Sequence, residues 1–520
     1  MEGVEWCPRE LVLSALAVLV LLWVCYYRHY IYWSTRDVPQ LWPWTPFGNT
    51  RKSILGTRSL ADDLDEMYQR FRDKRYVGIY RKRTPSLLVI DPELIRQVFV
   101  KDFDFFMDRE SLPFKEPVLE NQLFFMKGER WRHLRNKLSP LFTSGKLKNM
   151  FQTLNECGTE MVEVLSEAAQ KCSVIEFREA CALYTTEVIG SLAFGVKLNC
   201  QRNPDCDFRR WARALFRPQP PQIERALVDT FAPHIWKLLT YKAGRRDIFK
   251  YFDDMAKETL QQRLKSGTKR NDFMDLFTQL HTKGSVDGEK NGGEGWKLTE
   301  DEVAAQAFLF YTAGFETSST TMSFATYELA VNPDIQEQAQ NEIDSVLAES
   351  GAVTYDALSK MKYLDKVLAE TLRKYPPLAT INRETLRPYR LPSADGSGDT
   401  AVILERGIIV VIPVHSIHHD PVHYPNPERF DPERFSDEAK ASRHPFVYLP
   451  FGEGPRFCIG MRLGLLQAKL GLVHLLSNYT VDVSSETDIP LVLDPHTPVL
   501  SAQNGIRLCI SKRKPPRTVQ

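Results

Sequence analysis

The sequence predicts a mainly α-helical protein, in which one large domain with a small β region follows a single N-terminal transmembrane helix. Three observations carry this prediction. An uncharged apolar run occupies residues 11–27, a helical pattern dominates from about residue 101 to 390, and short alternating segments occur only near 76–90 and 401–413. A chain of 520 residues with 43% apolar side chains can bury a large core.

Charge and cysteine content exclude several classes of protein. The chain has 67 basic and 66 acidic residues, a net charge of +1, so we expect no nucleic-acid partner. Its 9 cysteines are an odd number and contain no C-x-x-C pair, which argues against a disulfide framework and a zinc ribbon. We therefore expect the main body to face a reducing compartment.

The apolar run from Leu11 to Tyr27 predicts a membrane anchor. At about 1.5 Å per residue it nearly spans a hydrocarbon core of about 30 Å. A cleaved signal peptide is the alternative, but such a peptide carries its positive charge before the apolar run. Here the residues before the run are acidic on balance and basic residues follow it: Glu2, Glu5 and Glu10 against Arg9, then Arg28, His29 and Arg36. We expect residues 1–10 in the lumen and the long C-terminal part in the cytosol.

Residues 28–50 are predicted to connect this anchor to the domain. An aromatic cluster begins the segment and suits the membrane interface: Tyr26, Tyr27, Tyr30, Tyr32 and Trp33. The proline-rich stretch from Val38 to Asn49 cannot continue a helix, so it predicts a stiff hinge. Residues 51–520 then form the domain, starting with a hairpin over 76–90 whose turn we place near Thr84-Pro85.

The longest interpretable helix begins at Thr299, which forms a capping box with Glu302, and ends near Pro333. Between Val303 and Tyr327 its only charged side chain is Glu316, so the helix belongs in the centre of a large protein. A buried carboxylate is costly unless it is bonded. The residues leave open whether Glu316 is functional or part of a core polar pair.

Two further motifs carry chemistry. Glu370 and Arg373 lie one turn apart on a predicted helix over 363–375, where an isolated ion pair contributes little. The loop from Phe451 to Gly460 is not a dinucleotide fingerprint, because Phe457 occupies the place of the third glycine. A metal ligand is the remaining interpretation of Cys458, since the helix that follows directs free amides toward its sulfur and favours the thiolate.

Taken together, these motifs resemble those of the cytochrome P450 haem-thiolate monooxygenases over the whole chain, and they occur in the family's order. They are Trp131-x-x-x-Arg135, Ala313-Gly314-x-Glu316-Thr317, Glu370-x-x-Arg373, Pro432-Glu433-Arg434-Phe435 and Phe451-x-x-Gly-x-Arg456-x-Cys458-x-Gly460. The segment 142–146 and the anchor with its hinge resemble the insect microsomal branch. The resemblance implies a cytochrome P450-like fold and a haem-binding domain over residues 51–520.

The resemblance also implies residue roles. Cys458 is expected to be the axial ligand of the iron in haem b, and Thr317 with Glu316 to steer protons to dioxygen. The remaining implied residues fall into three groups: Trp131, Arg135, Arg383, Arg456 and Phe451 for binding the haem; Glu370, Arg373 and Arg434 as a buried structural triad; and Phe124, Ala313, Leu378 and Ala379 for the substrate pocket.

The implied activity is insertion of one oxygen atom from O2 into a small apolar substrate. Detoxification of xenobiotics or insecticides and metabolism of hormones or steroids are equally open. Electrons are expected from NADPH through a membrane-bound NADPH-cytochrome reductase, with cytochrome b5 as a further donor, at the endoplasmic reticulum membrane. Two alternatives are a haem-thiolate isomerase or dehydratase of oxidised lipids and a non-catalytic haem protein that binds a ligand.

Overall fold

The computed structural model describes residues 8–45, 47–111, 116–216, 246–287, 296–396 and 402–513. Residues 1–7 of the predicted lumenal segment and most of the glycine-rich stretch before Trp296 lie outside these ranges. The long helices are α1 (Pro8–Tyr27), α2 (Leu60–Arg70), α3 (Gly128–Leu138), α4 (Ser144–Gln170), α5 (Phe177–Ala193), α6 (Asp207–Phe216), α7 (Arg246–Ser266), α8 (Phe273–Thr282), α9 (Glu300–Val331), α10 (Pro333–Ser350), α11 (Lys362–Lys374) and α12 (Met461–Asn478).

Nine short strands occur in the described residues: β1 (Tyr76–Arg81), β2 (Thr84–Val89), β3 (Val174–Glu176), β4 (Ile381–Glu384), β5 (Tyr389–Leu391), β6 (Val402–Leu404), β7 (Ile409–Ile412), β8 (Tyr479–Val483) and β9 (Arg507–Lys512). They form a four-stranded sheet in the order β1-β2-β7-β4, a three-stranded sheet β3-β9-β8 and the pair β5-β6. Only the β2–β7 pairing among these is parallel. The mainly helical prediction with a small β region is confirmed.

Two hydrophobic cores organise the domain. The larger core packs the helices around α9, which is buried along most of its length. The smaller core lies between the four-stranded sheet and the helices that cover it. The predicted capping box at the start of α9 is present, with Glu302 N–H donating to the Thr299 hydroxyl at 3.1 Å.

The hairpin turn lies two residues before its predicted place. Arg81 pairs with Thr84, so Lys82 and Arg83 form the turn and Thr84 already belongs to β2. Lys82 adopts a φ of 56°, the left-handed conformation that two-residue hairpin turns require. The Thr84-Pro85 pair had suggested a turn, but Pro85 is accommodated within the strand opposite Tyr80.

The aromatic residues Tyr30 and Trp33 are buried, so the prediction that they lie at a membrane interface is wrong for these two. Trp33 donates its indole N–H to Ile79 O at 3.1 Å, and the Tyr80 hydroxyl donates to Tyr30 O at 2.8 Å. Gly78 lies against the Trp33 ring, where an added Cβ would approach to 2.3 Å. The packed domain therefore begins before residue 51, and the proline-rich stretch runs along β1.

The N-terminal helix α1 covers the whole predicted anchor, residues 11–27. None of the helices among the described residues reaches the combined length and apolarity needed for a membrane crossing. The transmembrane role of α1 stays a prediction.

Candidate functional site

The loop before α12 presents Cys458 to a cavity that also borders α3, α9 and β4. Cys458 N–H donates to Phe451 O at 2.9 Å, which closes the loop. Gly452 and Gly454 both have positive φ, 68° and 73°. A Cβ on Gly454 would lie 1.9 Å from Phe99 O, so only glycine lets these two backbone segments approach each other.

Helix α12 begins at Met461, directly after this loop, as predicted. Burial raises the pKa of the Cys458 thiol, while a backbone hydrogen bond from Gly460 and the charges of Arg109 and Arg135 act in the opposite direction. The largest of these effects, desolvation, opposes the thiolate that the helix amides favour. A metal cation bound at this sulfur would stabilise the thiolate.

Buried arginines also line this cavity. Arg383, on β4, donates from Nη1 to Asn382 O at 2.8 Å, whereas its Nε has no hydrogen-bond partner. Arg456 donates to Met126 O at 2.6 Å and lies 3.4 Å from Asp108 Oδ1, and its Nε is also unpartnered. The Nε–H groups of both arginines are therefore free to donate, which indicates a ligand that carries several acceptor atoms.

Trp131 and Arg135, one turn apart on α3, also line this cavity. The Arg456 guanidinium stacks over the Trp131 ring at 4.3 Å, and Arg135 donates to Phe457 O at 3.0 Å. The structure thus gathers all the predicted haem-binding residues in one place, including Phe451.

Arg109 also lines the cavity, although no sequence motif predicted it. It lies in a loop without a recognisable spacing to any other motif. Its guanidinium stacks over the Phe124 ring at 3.8 Å, and burial lowers its pKa to about 10. Burial, together with the charges of Arg109 and Arg456, also holds the pKa of Arg383 well below its usual range.

The clustered arginine charges allow us to ask whether the expected cofactor, haem, fits this cavity. Buried guanidinium groups repel each other unless an anion lies between them. Haem carries two propionates on a flat ring and leaves one axial position of its iron to the protein. The unpartnered arginine donors, Cys458 and the close-packed glycine loop all fit such a group.

The structure separates the two predicted catalytic residues on α9. Thr317 lines the cavity, and its hydroxyl donates to Ala313 O at 2.5 Å. Glu316 is buried and forms an ion pair with Arg178 on α5, with 2.7 Å between Nη2 and Oε1. Glu316 is not among the residues that line the cavity. The sequence left open whether Glu316 is a functional residue or part of a polar pair in the core, and its observed contacts are those of a core polar pair.

Glu370 and Arg373, on α11, lie together with Arg434, and none of the three lines the cavity. Arg373 makes a bidentate contact to Glu370, with distances of 2.8 and 2.9 Å, and donates to His418 O and Pro427 O. Arg434 Nε lies 3.4 Å from Glu370 Oε1. The motif Pro-Glu-Arg-Phe occurs at 427–430 and again at 432–435, and the second copy supplies this arginine. Glu370 and Arg373 are fully buried, so they do not form the surface pair expected of an isolated helix.

Three of the four predicted pocket residues line the cavity, namely Phe124, Ala313 and Leu378. Ala379 does not, because its carbonyl accepts a hydrogen bond from His415 N–H at 3.0 Å in a different part of the fold. Further apolar residues that no motif singled out also line the wall: Leu123, Ile189, Phe273, Leu309, Phe310, Pro377 and Ile381.

A mainly helical domain with a cysteine and an arginine cluster in one apolar cavity matches the haem-thiolate class of proteins. Residues 39–510 match the family model for cytochrome P450. Among curated proteins, probable cytochrome P450 6a14 of Drosophila melanogaster is 40% identical, with 95% of this chain and 98% of the relative covered. Cytochrome P450 6B2 of Helicoverpa armigera is 38% identical with 96% and 97% covered, and cytochrome P450 6k1 of Blattella germanica 36% with 98% and 98%.

The chain belongs to the cytochrome P450 family, the oxidoreductases that act as monooxygenases with haem iron and O2. These relatives come from insects, which confirms the predicted insect branch.

Proposed function

We propose that this protein is a microsomal haem-thiolate monooxygenase that inserts one oxygen atom from O2 into a small apolar substrate. The observation that carries the proposal is a single cavity that joins the Cys458 thiol, an arginine cluster and apolar side chains. An apolar wall next to the reactive centre favours substrates bound by burial rather than by charge. The insect relatives make xenobiotics, including insecticides, the first substrates to test, and hormones or steroids the second.

The protein's own residues would bind and orient the cofactor. Cys458 would ligate the iron, and Trp131 with four arginines would hold the propionates: Arg109, Arg135, Arg383 and Arg456. When bound, haem supplies the activation of dioxygen and the oxidation of the substrate C–H bond. Phe451 accepts the Cys458 N–H and so holds the sulfur in place.

The Thr317 hydroxyl lies at the cavity wall and donates its proton in a hydrogen bond to Ala313 O. We assign it the role of passing protons toward dioxygen. Glu316 would contribute only after leaving Arg178, because its carboxylate is bound there in the structure. The threonine is therefore the residue of this pair whose loss should affect coupling first.

We further propose an anchored arrangement for the chain: residues 1–10 in the lumen, 11–27 across the endoplasmic reticulum membrane and 28–520 in the cytosol, where the juxtamembrane segment 28–50 packs against the rest of the domain. Large apolar side chains of α1 are exposed, Val12, Leu13, Leu16 and Val20 among them, and exposed apolar surface of this extent requires a partner such as lipid. This topology puts the domain beside an NADPH-cytochrome reductase and cytochrome b5, the electron donors we propose.

The first test is the difference spectrum of the dithionite-reduced protein with carbon monoxide, measured in membranes. We expect the Soret band of a thiolate-ligated haem in the wild type and its loss in Cys458→Ser. Cys206→Ser is the matched control, because this cysteine lies outside the cavity and should leave the band unchanged. A wild-type spectrum without the thiolate band in folded protein would overturn the proposal.

The second test reconstitutes the protein with NADPH and reductase and measures product against peroxide. Thr317→Ala should retain haem but divert reducing equivalents to peroxide. Turnover of lipid hydroperoxides in the absence of reductase, together with no NADPH-driven oxygenation in its presence, would favour the isomerase or dehydratase alternative. Ligand binding without any turnover would favour the non-catalytic haem protein.

A further inference from the structure

Two cysteines that the proposed function does not use lie close together where the chain passes from α4 to β3. Cys172 lies in that turn, and Cys509 lies on β9, the partner strand of β3. Val174 is opposite Cys509 in this antiparallel pair, and Ile510 N–H donates to Ser173 O at 3.1 Å. The Cys509 thiol donates to Cys172 O across 3.2 Å.

The backbone at Cys172 is one that normally selects glycine. Helix α4 ends in a Schellman motif, in which Ser173 N–H donates to Ala168 O at 2.9 Å and Cys172 N–H lies 3.4 Å from Ala169 O. Cys172 has a φ of 49°, the left-handed conformation that disfavours residues with a Cβ. Backbone geometry therefore does not account for a cysteine here, so its side chain requires another explanation.

The two thiols are close enough to bond after side-chain rotation. The carbonyl oxygen and Cβ of one residue are about 3 Å apart by covalent geometry, so the Cys509 sulfur lies within about 6 Å of Cys172 Cβ. Disulfides join residues whose Cα atoms are about 4.4–6.8 Å apart, and here the contact between the Cys509 sulfur and the Cys172 carbonyl brings the two residues together. Cys172 is exposed and Cys509 partly exposed, whereas Cys157, Cys181 and Cys200 are buried.

We propose that Cys172 and Cys509 form a reversible intramolecular disulfide, with a small-molecule disulfide as the electron acceptor. Exposed Cys172, as its thiolate, attacks one sulfur of that molecule, which gives a mixed disulfide and releases one thiolate. Cys509 then loses its proton and attacks the Cys172 sulfur, which expels the second thiolate. Two protein thiols are oxidised and one small disulfide is reduced to two thiols.

The order of attack follows from the surroundings of the two sulfurs. Burial raises the pKa of Cys509, and the neighbouring Cys172 and Asp482 raise it further. Cys172 is therefore the entering nucleophile and Cys509 the resolving one. The bond would join the C-terminal strand β9 to the corner that leads into α5, whose first turn is capped by Glu176. It requires neither haem nor turnover, so it is independent of the proposed function.

The experiment uses the full-length holoprotein in detergent, equilibrated with reduced and oxidised glutathione at a series of ratios. Free thiols are then alkylated, and peptides are mapped by mass spectrometry without reduction. We expect a linked pair of peptides containing Cys172 and Cys509 that increases with the oxidised fraction and disappears on reduction. Oxidation should also slow proteolysis of the C-terminal strand about tenfold, because the bond restrains local opening.

Three variants make the test specific. Cys172→Gly removes one sulfur and suits the left-handed backbone, so it should fold at least as well as the wild type and never form the link. Cys509→Ser should also lack the link, whereas Cys206→Ser, at another partly exposed cysteine, should retain it. Separate alkylation of both cysteines at every ratio, or a lasting glutathione adduct on Cys172 beside free Cys509, would overturn the proposal.

Discussion

Two buried arginine sites in this protein differ in how their charges are balanced. In the triad of Glu370, Arg373 and Arg434, the Arg373 donors meet a carboxylate and backbone carbonyls, and Arg434 Nε, which has no hydrogen bond, lies 3.4 Å from the same carboxylate. In the cavity cluster, defined as Arg109, Arg383 and Arg456, the Nε atoms of Arg383 and Arg456 are unpartnered, and burial together with neighbouring arginines lowers the pKa of both. Arg373 and Arg383 are both buried, so burial alone does not distinguish them.

The difference teaches how a structural charge is told from a ligand-binding charge. A charge that serves folding brings its counter-charge from the same chain, as Arg373 does with Glu370. A charged side chain that binds a ligand is held in place before the ligand brings the opposite charge. Keeping such a side chain buried without a counter-charge lowers the stability of the protein. The four predictions below test that distinction, and the three substitutions among them that change a charge are given in order of decreasing effect on stability.

The largest effect is expected from Glu370→Gln. The substitution leaves Arg373 and Arg434 buried without their carboxylate, which should lower the free energy of unfolding by about 3–5 kcal/mol. Urea unfolding, followed by circular dichroism, measures the loss. A decrease below about 1 kcal/mol, the range typical of a surface pair, would show that the triad is not a structural unit.

Arg383→Met should act in the opposite direction on the haem-free protein. Removing a buried cation that lacks a counter-charge should raise its stability by about 1–2 kcal/mol. Haem retention should fall about 10- to 100-fold, because a charged hydrogen bond to a propionate is lost. Transfer of haem to an acceptor protein measures retention, and thermal unfolding measures stability.

Arg373→Met is the matched control for this prediction, since it makes the same change in the triad. It should destabilise the protein whether or not haem is bound. If Arg383→Met destabilised the haem-free protein as much as Arg373→Met does, the distinction between the two sites would fail.

The triad should also make stability depend on pH through His418. Burial, reinforced by Arg373, lowers the pKa of His418 from 6.5 to about 3. Its Nε2 accepts Leu449 N–H at 2.8 Å, so protonation in the folded state would break that bond. As pH falls, the unfolded state takes up the proton before the folded state does. Neutral His418 therefore contributes fully to the free energy of unfolding above pH 6.5, and this contribution is lost as pH falls toward 3, by about 1.4 kcal/mol per pH unit.

His418→Gln is the variant that isolates this dependence, since its amide oxygen can still accept Leu449 N–H and does not titrate. Subtracting its unfolding free energy from that of the wild type at each pH should give a difference that declines between pH 6.5 and 4. A flat difference would contradict the assignment to His418.

The smallest effect is expected at the edge of the triad. Lys366 and Glu433 form an ion pair of 2.8 Å, but Glu433 is largely exposed. Glu433→Gln should therefore cost less than about 1 kcal/mol, and added salt should reduce that cost. Unfolding in low and high salt checks both statements. A loss comparable to that of Glu370→Gln would mean that exposure does not decide what these pairs contribute.

Much of the site was predictable because its residues lie in short motifs with fixed spacing. Cys458 and Arg456 share one loop, and Glu370 and Arg373 share one helical turn. Arg109 could not be found this way, since its loop reaches the cavity only through tertiary packing. The family resemblance placed Ala379 in the pocket, yet its carbonyl accepts a hydrogen bond from His415 N–H and the residue does not line the cavity.

The sequence by itself determined the helical class, the family motifs and the cysteine, because periodicity, capping and short loops are local properties of the chain. Tertiary structure decided which way side chains face and what they meet. It turned Glu316 toward Arg178, buried Trp33 against β1 and brought Cys172 beside Cys509. Those outcomes depend on contacts between segments far apart in sequence, and no local pattern contains them.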